Sequence, residues 1–148
     1  MTSQLFIELF NLDLEKLNED ISLYRNENDL WLLKDGIKNS AGTLTLHIIG
    51  NLFHFVGAVL GKTGYVRKRD KEFSDRNISR KKMLYDINNV ILIIKDSLSK
   101  FSDEDLQKEF PIEFLGKRKT IQVLIILTAH LNYHLGQINY HRRIITEC

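Results

Sequence analysis

Between Thr120 and Arg143 the chain reads TIQVLIILTAHLNYHLGQINYHRR, with no proline and one interior glycine. Leu124, Leu127, Leu131, Leu135 and Ile138 recur at steps of three and four, the period of an amphipathic helix. His130 and His134 are four apart, so they sit one turn apart on one side of that helix. At about 100° per residue this histidine row borders the leucine stripe rather than opposing it. His141 follows in nearly the same direction. Two imidazoles one turn apart can share a metal ion, because the pitch brings their ring nitrogens together. They can equally be half-buried histidines that hydrogen-bond within a helical bundle. Both readings stand on spacing alone.

The rest of the chain supplies partners for this helix. Its 148 residues, 43% of them hydrophobic, suit one globular domain, 1–148, with a single core. Phe6, Phe10, Leu14, Leu17, Ile21 and Tyr24 mark a first helix, with Thr2 or Ser3 as its cap. Trp31, Leu32 and Leu33 form an apolar knot before a polar turn, and Trp31 reads as a core plug. Asn39 or Ser40 caps a second helix, with Ile48, Leu52, Phe55 and Val59 as its central line and Ile49 and Val56 broadening it. Gly61 and Gly64 end it through left-handed backbone. A third helix, capped by Ser79, carries Leu84, Ile87, Ile91, Ile94, Leu98 and Phe101. Ser102 caps a single turn, and Pro111 turns 110–119 into an extended loop or short hairpin. The four helices are expected near 3–25, 40–60, 79–101 and 119–144. The connection 61–78 is too long for a hairpin. It can carry the chain across the bundle, so that helices two and three run parallel, and it can lie over a groove as a lid.

Charge and cysteine content narrow the function. A net charge of +2 with scattered basic residues gives no footprint for nucleic acid. Cys148 is the only cysteine, so no intrachain disulfide forms, and a terminal thiol makes a poor nucleophile. No signal peptide opens the chain, and the apolar runs read as too short to span a bilayer. A cytoplasmic protein is expected.

The chemistry on offer is imidazole. His130-Leu131-Asn132-Tyr133-His134 has metalloprotease spacing but lacks the glutamate that would serve as base. There is no phosphate-cradling glycine loop and no serine elbow. His47 sits on the flank of the second helix's apolar sector, as do Asn51 and His54. With the doublet on the fourth helix, His47 becomes a candidate third ligand. Three neutral ligands would leave a dication with an open position for water or a thiolate.

Asn39-Ser40-Ala41-Gly42 with Leu46-His47-Ile48-Ile49-Gly50-Asn51, and His130 to His134 with Leu135-Gly136-Gln137-Ile138, carry a family likeness. In helix order and spacing, and through the crossover Arg67–Phe73, the chain resembles the DinB-like superfamily of bacterial proteins, with its YfiT-type metal-dependent hydrolases and thiol-dependent transferases. The resemblance implies an all-α four-helix bundle of up-down-down-up connectivity, often dimeric. It implies a divalent metal, zinc or nickel, held by His47, His130 and His134. His54 and His141 are not part of the carried-over set. A low-molecular-weight thiol as cosubstrate suits such a site. The general base is unassigned; a carboxylate on helix one or on the crossover is a candidate. Two functions follow: a metal-dependent transferase or hydrolase acting on a small molecule, or a stress-related binding or scaffold protein whose metal is structural or absent. Ile125, Ile126, Tyr133 and Tyr140 extend the apolar surface of the fourth helix beyond its core stripe, and a homodimer built on it is expected.

Overall fold

The computed structural model describes residues 1–146; Cys148, read above as a poor nucleophile, lies outside them. The described chain is all helical, with six α-helices, a 3-10 turn at Glu27–Trp31, and no strands. Helix α1 (Thr2–Ser22) packs on α4 (Arg80–Leu98) and α6 (Thr120–Thr146). Helix α2 (Ala41–Leu52) continues through a wider-turned π segment, Phe53–Leu60; α2 packs on α4 and α6, and the π segment on α4. Two short helices complete the set, α3 (Arg69–Ser74) and α5 (Asp103–Gln107).

The periodic stripes become the core. All six apolar residues expected on the first helix are buried, Tyr24 lying just past the end of α1, and so are all five on α6. On α4 the buried row is Met83, Ile87, Val90, Ile94 and Leu98; the expected Leu84, Ile91 and Phe101 only lean against it. Of the apolar residues expected on the second helix, Ile48, Ile49 and Leu52 on α2 and Val56 on the π segment are buried, while Phe55 and Val59 are half-covered. The segment Ala41–Leu60 is long and apolar enough to cross a membrane by length and composition, contrary to the expectation that every run is too short. Most of it is buried inside the molecule, which accounts for its hydropathy by packing.

Caps and turns follow sequence chemistry with several departures. Ser40 and Ser79 accept from the backbone N–H groups of Thr43 and Lys82, each at 3.1 Å, and Ser102 forms a capping box with Asp105. Neither Thr2 nor Ser3 caps α1: Met1 stands at that position, and the Thr2 N–H donates instead to Asp103 Oδ1 at 2.8 Å. The Trp31–Leu33 knot is not a core element, since Leu32 and Leu33 are exposed and Leu30 is the plug. Trp31 lies over Gly42, where a Cβ would collide with its ring. Gly61 is not left-handed, with φ −86°; a Cβ there would strike Ser97. Lys62 and Gly64 take the positive φ angles, 52° and 81°. The 110–119 loop closes as a minimal hairpin through a Glu109–Lys119 bridge.

Polar contacts tie α1 to α6. Asn132 Nδ2 donates to Asp13, and Asn139 Nδ2 and Arg142 Nε donate to Asp20 at 3.0 and 3.2 Å. His141 ends the series, buried, accepting at Nδ1 from the Tyr24 hydroxyl (2.7 Å) and donating from Nε2 to the Leu32 carbonyl (2.8 Å). Burial pushes the Tyr24 phenol well above its ordinary range, so it remains a donor. Burial also lowers His141 below the ordinary 6.5, with the Leu32 hydrogen bond and Asp29 opposing. The unfolded chain therefore takes up this proton before the folded one does as pH falls. The stability tied to neutral His141 is complete above about pH 6.5 and is lost below it. The melting temperature of metal-free protein is expected to fall between about pH 7 and 5, and to fall less in His141→Gln. Equal slopes for the two proteins would remove His141 from this account.

Candidate metal centre

Helix α2 supplies His47, and α6 supplies His130 and His134. The three ligand nitrogens lie within 4.8 Å of one another. The rings stand nearly edge-on to each other, with centroids 4.9 Å (His47–His130), 5.1 Å (His47–His134) and 4.5 Å (His130–His134) apart. His47 is buried and the α6 pair is half-buried.

Outer partners decide which way each lone pair faces. His47 Nδ1 lies 3.1 Å from Glu72 Oε1, and His134 Nδ1 lies 2.7 Å from Gln137 Oε1. Both partners are acceptors, so both Nδ1 atoms carry the proton and both Nε2 atoms present lone pairs inward. Those lone pairs converge on His130 Nε2, 3.0 Å from His47 and 3.1 Å from His134. A single N–H on His130 satisfies only one of them. At least one inward lone pair is left without a proton, and a cation at the centre would satisfy all three. In a tetrahedral zinc shell, bonds of about 2.0–2.1 Å place nitrogens roughly 3.3 Å apart, close to the two spacings that His130 makes here. The donor set therefore fits a divalent metal, and three protein ligands leave a fourth position open.

The electrostatics favour the unprotonated form that a metal needs. Burial, with His134, His47 and Arg67 nearby, lowers His130 to about 4. Burial also lowers His134, with Gln137 opposing and His47 assisting. Burial alone would raise the Glu72 carboxyl, but hydrogen bonds from Arg67 and His47 outweigh it and hold the group below the usual carboxylate range. Arg67 grips Glu72 with Nε on Oε2 and Nη2 on Oε1, both at 2.8 Å.

The structure thus brings together His47, His130 and His134 and leaves His54 and His141 out. His141 is held by Tyr24 and Leu32. His54 lies seven residues beyond His47, about 10 Å along the helix, and its ring contact is with Phe55. Among the carboxylates of helix one and the crossover, Glu72 is engaged by Arg67 and His47, and Asp13 and Asp20 by α6. Sequence reasoning missed the roles of Arg67, Glu72 and Gln137. Gln137 was within reach, three residues after His134 and on the same face. Asn51, one turn beyond His47, keeps a buried Oδ1 with no partner among the described residues.

Fold and site together define an all-helical protein whose three-histidine cluster could hold a metal ion. The chain belongs to the family DUF1572, proteins of unknown function, which matches residues 6–148. No curated protein matches the chain in sequence.

Proposed function

We propose that this protein is a metal-dependent enzyme of the DinB-like type, with one divalent ion, zinc or nickel, held by His47, His130 and His134. The observation that carries this reading is the convergence of three Nε2 atoms, two of them committed by outer partners to facing inward as lone pairs. A metal there would supply Lewis acidity to a small molecule at the open position. The chain's own residues do the rest. Glu72 and Gln137 hold the imidazole orientations, and Asn51 Oδ1 offers an acceptor near His47. A low-molecular-weight thiol suits the site as first substrate, because its thiolate balances charge that neutral imidazoles leave in place. Its sulfur would bond to an electrophilic carbon while the leaving group departs with its electron pair and the thiol proton passes to solvent. Hydrolysis of a small substrate is the related alternative. The test is turnover of a thiol with an electrophile by metal-loaded protein, lost in His130→Ala. Metal uptake without turnover of either kind would favour the binding or scaffold role.

The architecture we propose is a single-domain four-helix bundle, up-down-down-up, formed by α1, α2 with its π extension, α4 and α6. Gly57 lies beside Ile93 and Gly61 beside Ser97, which supports α2 and α4 running in the same direction. Asp13 pairs with Asn132 and Asp20 with Asn139, which supports the same for α1 and α6. We place the protein in the cytoplasm as a homodimer. Tyr133 and Tyr140 are 66% and 68% exposed, two turns apart on the outer side of α6, an apolar face that a second copy would cover. Light scattering at tens of micromolar (roughly, the range in which weak dimers form) should give twice the chain mass; the monomer mass would exclude this dimer.

A further inference from the structure

Segment 67–73 of the crossover closes over the outer side of His47. Glu72 is buried, with both carboxylate oxygens hydrogen-bonded. Its Oε1 meets both His47 Nδ1 and Arg67 Nη2, and its Oε2 meets Arg67 Nε. It occupies the space that α2 leaves open at Gly50, where a Cβ would run into the carboxylate. The next residue, Phe73, sets its ring 5.0 Å from the His47 ring, and the Arg69 guanidinium lies over the Phe73 ring at 5.0 Å. Helix α3, which carries these side chains, has six residues, too few to persist without tertiary contacts.

We propose that Glu72 is a positioning residue for the metal centre, and that residues 67–73 form a strap whose closure is tied to metal occupancy. The inference rests on the metal reading above. A carboxylate accepting from Nδ1–H fixes the imidazole tautomer, aims the Nε2 lone pair inward and raises its basicity. Arg67 holds that carboxylate in place through two hydrogen bonds. Coupling between the strap and the metal is reciprocal: whatever closure of the strap contributes to metal affinity, the metal returns as closure of the strap. Four trypsin sites, at Arg67, Lys68, Arg69 and Lys71, lie in the strap, so its opening can be read by limited proteolysis.

The experiment compares the full chain as wild type, Glu72→Gln and Glu72→Ala, with zinc as the probe. Zinc affinity is measured by competition with a chromophoric chelator, strap cleavage by timed trypsin digestion, and helicity by circular dichroism. Wild type should bind zinc, and zinc should slow cleavage in the strap. Glu72→Ala should bind about 10–100-fold more weakly, and saturating zinc should no longer protect the strap. Glu72→Gln should fall between, because its amide oxygen still accepts from His47. The His47 Nδ1–H resonance of zinc-loaded protein should be slowly exchanging in wild type and lost in Glu72→Ala, a signature that packing alone does not set. If wild type takes up no zinc, the metal reading itself fails. If wild type binds zinc and Glu72→Ala binds it equally well, only the strap proposal is overturned. Should Glu72→Ala lose helicity, the isosteric Glu72→Gln decides: unchanged affinity and unchanged protection would overturn the proposal.

Discussion

His130→Ala is expected to abolish stoichiometric metal binding, while wild type reconstituted with zinc or nickel retains it through dialysis. His130 Nε2 stands between the other two nitrogens, at 3.0 and 3.1 Å. Without it, two imidazoles from different helices remain, and the loss should far exceed the about 10–100-fold that an outer partner is worth. His47→Ala and His134→Ala should behave alike. His54→Ala and His141→Ala should keep their metal, because neither ring joins the cluster. Helicity measured on the same samples separates ligand loss from unfolding. Acidification should weaken binding, since protons compete for the same lone pairs. His130 is held at about 4 and His134 is also lowered. The decline should therefore set in at lower pH than for an unperturbed imidazole of about 6.5. Elemental analysis of untagged protein across the variants checks the assignment. Equal metal in wild type and all three ligand variants would refute it.

Phe10→Ala should carry the largest stability cost of a single core change, about 3–5 kcal/mol. Phe10 is fully buried on α1, the helix packed on both α4 and α6. Truncation there removes core packing and leaves a cavity that the surrounding helices only partly close. Against a total of about 5–15 kcal/mol for a domain of this kind, the variant would be marginal at room temperature. Leu9→Ala is the control. Leu9 is 48% exposed, and its loss should stay within about 0.5 kcal/mol. Urea unfolding of the two variants reads the contrast. Similar midpoints would mean that the α1 stripe is not the core element described.

The readings that succeeded rest on short-range periodicity. On α1 and α6 the buried stripe repeats at steps of three and four, so period finds the buried face even beside exposed apolar residues such as Leu5, Leu9 and Leu12 on α1 and Ile125, Tyr133 and Tyr140 on α6. On α4, Met83, Leu84, Ile87, Val90, Ile91 and Ile94 fill two adjacent rows, and nothing in the sequence says which one faces inward. The choice is made by α1 and by the π segment of α2, which the sequence does not announce. The histidine doublet was legible as spacing, and His47 as a position on the flank of an apolar sector. Glu72 and Arg67 were not. Glu72 lies 25 residues from the imidazole it orients, in a polar stretch with no period, and the six residues of α3 are held by contacts made only after folding. The glycines carry a similar lesson. Gly61 looks like a left-handed stop, but its use is to leave room for Ser97. Gly50 would pass as a weak point in a helix, and it is the seat of the carboxylate.

The most direct measurement is the metal's own surroundings. A crystal structure of zinc-loaded wild type, with anomalous scattering collected at the zinc edge, would locate the ion and its bonds. The account predicts one ion bonded by Nε2 of His47, His130 and His134 at about 2.0–2.1 Å, with a non-protein ligand in the fourth position. Zinc seated elsewhere, or this cluster empty in a zinc-saturated crystal, would contradict it.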